Sequence, residues 1–149
     1  MLKIKKQKAD KKLVLATGCF DILHSAHQKF LQKAKTKNSL LLVGLESDKR
    51  VRVLKGKERP VNSWTKRAKN LSEQKFVDYI FHLPEDLEKK ETQELLIAEL
   101  KPDILAVSSH TKNLDRKKLL IEKYGGQLKI VYLHNPHFST TKILGTVSI

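Results

Sequence analysis

Short apolar runs alternate with helix-spaced segments along this chain, and that rhythm restricts its fold more than any other feature. Residues 13–16 (LVLA), 40–45 (LLLVGL), 76–81 (FVDYIF), 104–107 (ILAV) and 128–133 (LKIVYL) read as strands. Between the first two, residues 24–37 place His27, Phe30, Leu31 and Ala34 at helical spacing. Ser47 suits the N-cap of a short helix through Leu54. Gly56 and Pro60 mark residues 55–60 (KGKERP) as a loop. Asn62 or Ser63 caps a helix through Gln74, with Trp64, Ala68 and Leu71 on one face. A helix over 89–100 stops at Lys101-Pro102, and one over 113–124 ends at Gly125-Gly126. A last short helix is expected near Ser139. Strand and helix repeated in this order predict the α/β class, with one five-stranded parallel sheet flanked by helices on both faces.

The length of 149 residues suits a single domain. No repeat, low-complexity tract or linker divides it, so residues 1–149 are read as one domain with a frayed basic stretch at 1–10. No apolar run approaches the ~18 residues of a spanning helix, so a membrane is not an expected partner. The basic start leads into no apolar h-region, which argues against a secretory signal. A lone cysteine, Cys19, excludes an internal disulfide and suits a reducing, cytoplasmic setting. Thirty Lys and Arg against sixteen Asp and Glu leave a net charge of +14, which predicts anionic partners of some kind. The excess is uneven. Residues 49–69 hold nine basic side chains and one acid, whereas residues 78–103 hold eight acids and three lysines. Lys outnumbers Arg twenty-five to five, and aromatics are only 6%. Few forked donors and few stacking platforms make nucleic acid the weaker reading of that charge.

In open α/β sheets ligands bind beyond the carboxyl ends of the strands. Three segments leave such ends here: residues 17–27, 107–111 and 134–141. The first, Thr17-Gly18-Cys19-Phe20-Asp21-Ile22-Leu23-His24-Ser25-Ala26-His27, passes from a strand into a helix and suits a phosphate. It contains neither a G-x-x-x-x-G-K-[ST] loop nor a G-x-G-x-x-G fingerprint. It does carry two histidines three residues apart, which point the same way on a helix. Both imidazoles can donate to a phosphate oxygen at that helix start.

The stretch TGCFDILHSAHQKFL resembles the G-x-F-D-x-x-H-x-G-H signature of the cytidylyltransferase-like nucleotidyltransferases. Residues 46–80, with KGKERPVN at their centre, are similar to the nucleotidyltransferase domain of ADP-heptose synthase. FSTTKIL near the end is similar to the family's S-T-T-x-I segment. The three blocks stand in family order over residues 13–144. The resemblance implies a Rossmann-like domain and a reaction in which an acceptor phosphate attacks the α-phosphorus of a nucleoside triphosphate, releasing pyrophosphate. It implies ATP, with CTP as the alternative, a phosphorylated sugar or polyol as acceptor, and Mg²⁺ bridging phosphate oxygens. It leaves a homodimer open. By the same matching, His24 and His27 would contact the triphosphate, Lys55 would steady it and Arg67 would bind the β- or γ-phosphate. Ser139, Thr140 and Thr141 would donate to the departing pyrophosphate. Thr17, Gly18 and Phe20 would shape the nucleotide cleft, with Asp21 holding the turn. Asp21, Ser108, Ser109 and His110 are the candidates for the acceptor or base pocket.

Each of these residues also has a plainer reading. The histidines could be a surface or capping pair, Lys55 and Arg59 loop solvation, Arg67 a partner of Glu73 or Asp78, and Ser139 to Thr141 a helix cap. His134 and His137 form a second H-x-x-H, but Pro136 breaks any helix there and no cysteine cluster accompanies it, so no metal site is expected. Cys19 reads as packing. Two departures from the family stand out. Ala26 replaces the motif glycine and adds a methyl where the nucleotide should pass. Val107-Ser108-Ser109-His110 stands where ADP-heptose synthase carries Lys-Gly-Gly-Asp. Both motivate a second reading, a nucleotide-binding sensor or scaffold with weakened catalysis. A basic nucleic-acid-binding module is the third.

Overall fold

The structure, a computed structural model, describes residues 10–133. Its strands are β1 (Lys12–Gly18), β2 (Ser39–Leu45), β3 (Tyr79–His82), β4 (Ile104–Ser108) and β5 (Gln127–Tyr132). Its helices are α1 (Ser25–Ala34), α2 (Asp48–Lys55), α3 (Trp64–Ser72), α4 (Lys90–Leu100) and α5 (Leu114–Lys123). The strands lie in the order β3-β2-β1-β4-β5 and every neighbouring pair is parallel. This is the five-stranded parallel α/β sheet that the alternating pattern predicts, in the Rossmann-like form that the resemblance implies.

Period-two alternation sorts the core onto the two faces. From β1, Val14 and Ala16 pack with Leu31 and Ala34 of α1 and Leu71 of α3. Leu13 and Leu15 point the other way, to Ile97 of α4 and Ile121 of α5. All seven residues of β2 are buried, as expected of a strand covered on both sides. Each such leucine or valine contributes about 1.5–3 kcal/mol by leaving water.

Capping sets most of the boundaries. The Ser47 hydroxyl accepts from Arg50 N at 3.1 Å and starts α2, and Ser63 accepts from Lys66 N at 3.2 Å to start α3. Helix α4 ends on Lys101 in the left-handed conformation just before Pro102. The turn after α5 uses Gly125 at φ +86°, where a side chain would be strained. One boundary differs from the pattern. Residues 76–81 read as a strand, yet β3 begins only at Tyr79. Val77 N donates to Gln74 O, so Phe76 and Val77 reach the core from a turn. The Asp78 carboxylate then accepts from Leu41 N at 2.7 Å and from Lys35 Nζ at 2.5 Å, anchoring the entry to the ladder.

Strand order and register open a crevice at one end of the sheet. β1 pairs with β2 all the way to Gly18↔Leu45. Among the described residues, β1 and β4 pair only at Val14↔Ile104 and Leu15↔Leu105. Past those pairs the two central strands part, at the point where the connections turn from one sheet edge toward the other. A register shift between Val107 and Ser108 bends the end of β4 further. Residues 1–9 and 134–149 lie outside the described residues. So do the short helix expected near Ser139, the trio Ser139, Thr140 and Thr141, and the second H-x-x-H.

Candidate active site

A cleft of about 830 Å³ occupies this crevice, lined by the loop after β1 on one side and by the end of β4 and the start of α5 on the other. The loop after β1 is held in an unusual shape. Phe20 sits at φ +46°, in the left-handed region that bulky residues avoid at a cost of about 1–3 kcal/mol. Two contacts compensate. The Phe20 ring is buried and meets His27 edge-on, with centroids 5.3 Å apart. The same ring explains Gly18, because a Cβ there would lie 2.9 Å from it.

Asp21 makes the second contact. Its buried carboxylate accepts from Val61 N at 2.8 Å, Asn62 N at 2.9 Å and Arg59 Nε at 2.7 Å. Asn62 Nδ2 returns a bond to Asp21 O at 2.8 Å. Burial alone would raise the carboxyl pKa, but these donors outweigh it and hold the group below the usual carboxylate range. The aspartate of the first sequence block therefore clamps the R-P-V-N of the second. Arg59, which could have been loop solvation, is buried in that clamp.

His24 is the N-cap of α1, with Nδ1 accepting from Ala26 N at 3.2 Å. That bond puts the proton of the neutral ring on Nε2, which is buried and without a partner among the described residues. His27 stacks on His24 with centroids 3.9 Å apart, and its Nδ1 is also buried and unpartnered. Burial, then the charges of His24 and Lys55, push the His27 pKa down to about 3, against a backbone hydrogen bond to Ile22 that raises it. Burial lowers His24 as well. Near pH 7 both rings are neutral at a helix N-terminus, and they present one unsatisfied nitrogen each. Unsatisfied buried polar atoms mark where a ligand completes the structure.

Thr17, Gly18, Phe20, Asp21, His24, His27 and Lys55 all line this cleft, as does the Ala26 side chain that replaces the motif glycine. On the opposite wall are Ser108 and His110, joined by a 2.8 Å bond between Ser108 Oγ and His110 Nδ1. Ser109 is exposed, does not line the cleft, and donates its backbone N–H to Tyr132 O. Cys19 lies in the cleft wall, where burial pushes its thiol up against the pull of Lys55, in keeping with packing rather than reactivity.

Arg67 does not line the cleft. Its fully buried guanidinium donates to Asn62 O, Cys19 O, Glu46 O and Asp48 Oδ1, at 3.0, 3.0, 2.9 and 2.6 Å. The expected partners Glu73 and Asp78 are not the ones it uses. Arg67 is a positioning residue that ties together the loops after β1 and β2 and the R-P-V-N loop. Residues that sequence reasoning missed are Glu46, Arg50, Arg116 and Lys117, which also line the cleft. Their signal was positional, since Glu46 directly follows β2, and Arg116 and Lys117 fall in the first turn after β4.

A parallel sheet with a cleft at its switch point, and neutral histidines at a helix N-terminus, place the chain among the open α/β proteins that bind ligands beyond the carboxyl ends of their strands. A family model described as cytidylyltransferase-like matches residues 15–144. The chain belongs to that cytidylyltransferase-like family. It is 41% identical over 138 residues to the bifunctional protein HldE of Pelobacter propionicus, covering 92% of this chain and 27% of that protein. The HldE of Campylobacter curvus is 48% identical over 99 residues, covering 66% of this chain and 20% of that protein. The chain thus spans about a quarter of the length of the curated relatives it matches. Among solved structures, the lipopolysaccharide core biosynthesis protein of Thermoplasma volcanium superposes with a TM-score of 0.65 at 29% identity, over 83% of this chain and 97% of that one. The pantoate-beta-alanine ligase of Francisella tularensis shares the fold, with a TM-score of 0.55 at 16% identity over 89% of this chain and 66% of that one.

Proposed function

We propose that this domain transfers a nucleoside monophosphate from a nucleoside triphosphate, ATP in preference to CTP, to a phosphorylated sugar or polyol. One observation carries the reading: two stacked, neutral imidazoles with unpartnered buried nitrogens at the start of α1, beside Lys55 and facing the crevice between β1 and β4. An oxygen of the acceptor phosphate attacks the α-phosphorus, the bond from that phosphorus to the bridging oxygen breaks, and pyrophosphate leaves with its electrons. An ionised phosphate needs no base to become a nucleophile. The task left to the protein is positioning and electrostatic stabilisation. His24 Nε2 donates to the phosphate chain from a helix start whose dipole adds to its effect. Lys55 adds a point charge. Ser139, Thr140 and Thr141 complete the pyrophosphate seat in this reading. Mg²⁺ carried in with the triphosphate would neutralise part of the charge that develops on its phosphates. The preference for ATP rests on the K-G-x-x-R-P-V-N block and on the similarity to HldE.

Ala26 favours a second reading, a nucleotide-binding protein with weakened turnover, because the residue in the place of the motif glycine lines the cleft. Pyrophosphate release separates the two. The enzyme reading expects release with ATP, and more slowly with CTP, for at least one acceptor in a panel of sugar and polyol phosphates. Tight nucleotide binding with no release for any acceptor would favour the weakened protein.

A further inference from the structure

The wall of the cleft beyond Cys19 carries a charged set that the triphosphate site does not use. Glu46 follows β2, Arg50 lies in the first turn of α2, and Arg116 and Lys117 lie in the first turn of α5. The set comes from the starts of α2 and α5, whereas His24 and His27 come from the start of α1 and Lys55 from the end of α2.

The set is not a finished ion-pair network. Arg50 Nη1 pairs with Glu88 Oε2 at 3.5 Å, but its Nε is 3.9 Å from Glu46 Oε2, too far for a hydrogen bond, and those two atoms are buried without a partner among the described residues. Arg116 Nε is buried and unpartnered in the same way, and its fork reaches Gln93 Oε1 only at 3.4 Å. Settled buried networks close such bonds. Arg116 and Lys117 also stand at a helix start, where the macrodipole opposes cations and favours an anion, although Asp115 shares that turn.

In-line displacement requires the nucleophile to enter opposite the leaving pyrophosphate. With the phosphate chain at His24, His27 and Lys55, the acceptor must approach from the other side of the α-phosphorus. We propose that Arg50, Arg116 and Lys117 bind the phosphoryl group of the acceptor, and that Glu46 accepts a hydrogen bond from a hydroxyl of its carbon skeleton. This rests on the nucleotidyltransferase reading and assigns its second substrate a seat. Ser108 and His110, where the heptose pattern has Lys-Gly-Gly-Asp, line the same cleft. The acceptor wall is therefore the part of the site that departs most from that pattern.

Calorimetric titration of the full chain tests this with two probes, glucose 1-phosphate and inorganic phosphate, added after saturation with Mg²⁺ and α,β-methylene-ATP. Both probes are expected to bind. Arg116→Gln combined with Lys117→Gln should weaken both at least tenfold while leaving the affinity for the ATP analogue within twofold. Glu46→Gln should weaken glucose 1-phosphate relative to inorganic phosphate, because only the sugar offers hydroxyls. Unchanged probe affinity in the double variant, or no probe binding to the wild type, overturns the proposal. So does a parallel loss of the ATP analogue in the double variant, which would assign the cations to the nucleotide. A wild-type protein that ignores the ATP analogue yet binds the sugar phosphate through these residues would instead sink the nucleotidyltransferase reading.

Discussion

His24 has two roles in one ring. Nδ1 caps α1 and Nε2 is left to donate. Alanine would remove both, and loss of a cap costs about 0.5–2 kcal/mol. Asparagine can keep the cap through Oδ1, but its shorter amide does not carry a donor as far as Nε2. His24→Asn should therefore retain most of the thermal stability yet lose about 10²–10³-fold in pyrophosphate release, the range for one transition-state donor. Full activity in that variant would remove His24 from the phosphate site. His27 makes its own prediction in pH. Its folded-state pKa of about 3 lies below the ordinary imidazole value of 6.5, so the folded protein binds fewer protons than the unfolded chain between those values. The resulting stability is full above pH 6.5 and is lost as pH falls toward 3. Melting temperature should decline over that window in the wild type and less steeply in His27→Gln. Equal slopes would mean that the imidazole is not buried in its neutral form.

Single elements carry little of the site; the ties between loops carry more. Asp21 joins the loop after β1 to the R-P-V-N loop, and Arg67 of α3 joins that loop to the segments after β1 and β2. Their roles separate from those of phosphate ligands by a simple measurement. Arg67→Ala leaves buried acceptors unpaired, and breaking a buried charged network costs about 3–5 kcal/mol. A fall in unfolding free energy of that size is expected, with lysine rescuing little because it lacks the planar fork. A variant of unchanged stability whose only defect is a raised KM for ATP would return Arg67 to the phosphates. Asp21→Asn should destabilise by about 1–3 kcal/mol, since three donors then face a weaker acceptor, and denaturant unfolding would report it. The element pattern in the sequence was clearest where burial is strongest. All of β2 was legible, whereas the start of β3 was not, because Phe76 and Val77 are apolar for a turn that packs on the core.

At the scale of the whole molecule, strand order turns separate loops into one cleft. Ligand binding there should stabilise the whole fold. At a hundredfold excess over Kd, ATP with Mg²⁺ should add about 2.7 kcal/mol, a rise of several degrees in melting temperature. Oligonucleotides at moderate salt should leave the melting temperature unchanged; a comparable, salt-sensitive rise with DNA or RNA would instead favour the nucleic-acid reading of the +14 charge. Part of that charge has a place in the cleft, in Lys55, Arg50, Arg116 and Lys117.

The sequence by itself determined the α/β alternation, the single parallel sheet, and the helix start that carries His24 and His27. Those features are local, written in apolar period, turn residues and a contiguous motif. It also pointed to the ends of β1 and β4 as the place for a ligand. Only the tertiary structure decided what faces that place. Arg67 and Arg50 are both basic residues on short helices and look alike in sequence. Yet Arg67 is buried against three loop carbonyls and the Asp48 carboxylate, while Arg50 lines the cleft. A guanidinium's role depends on which acceptors folding brings within about 3 Å of it, and those acceptors come from segments tens of residues away.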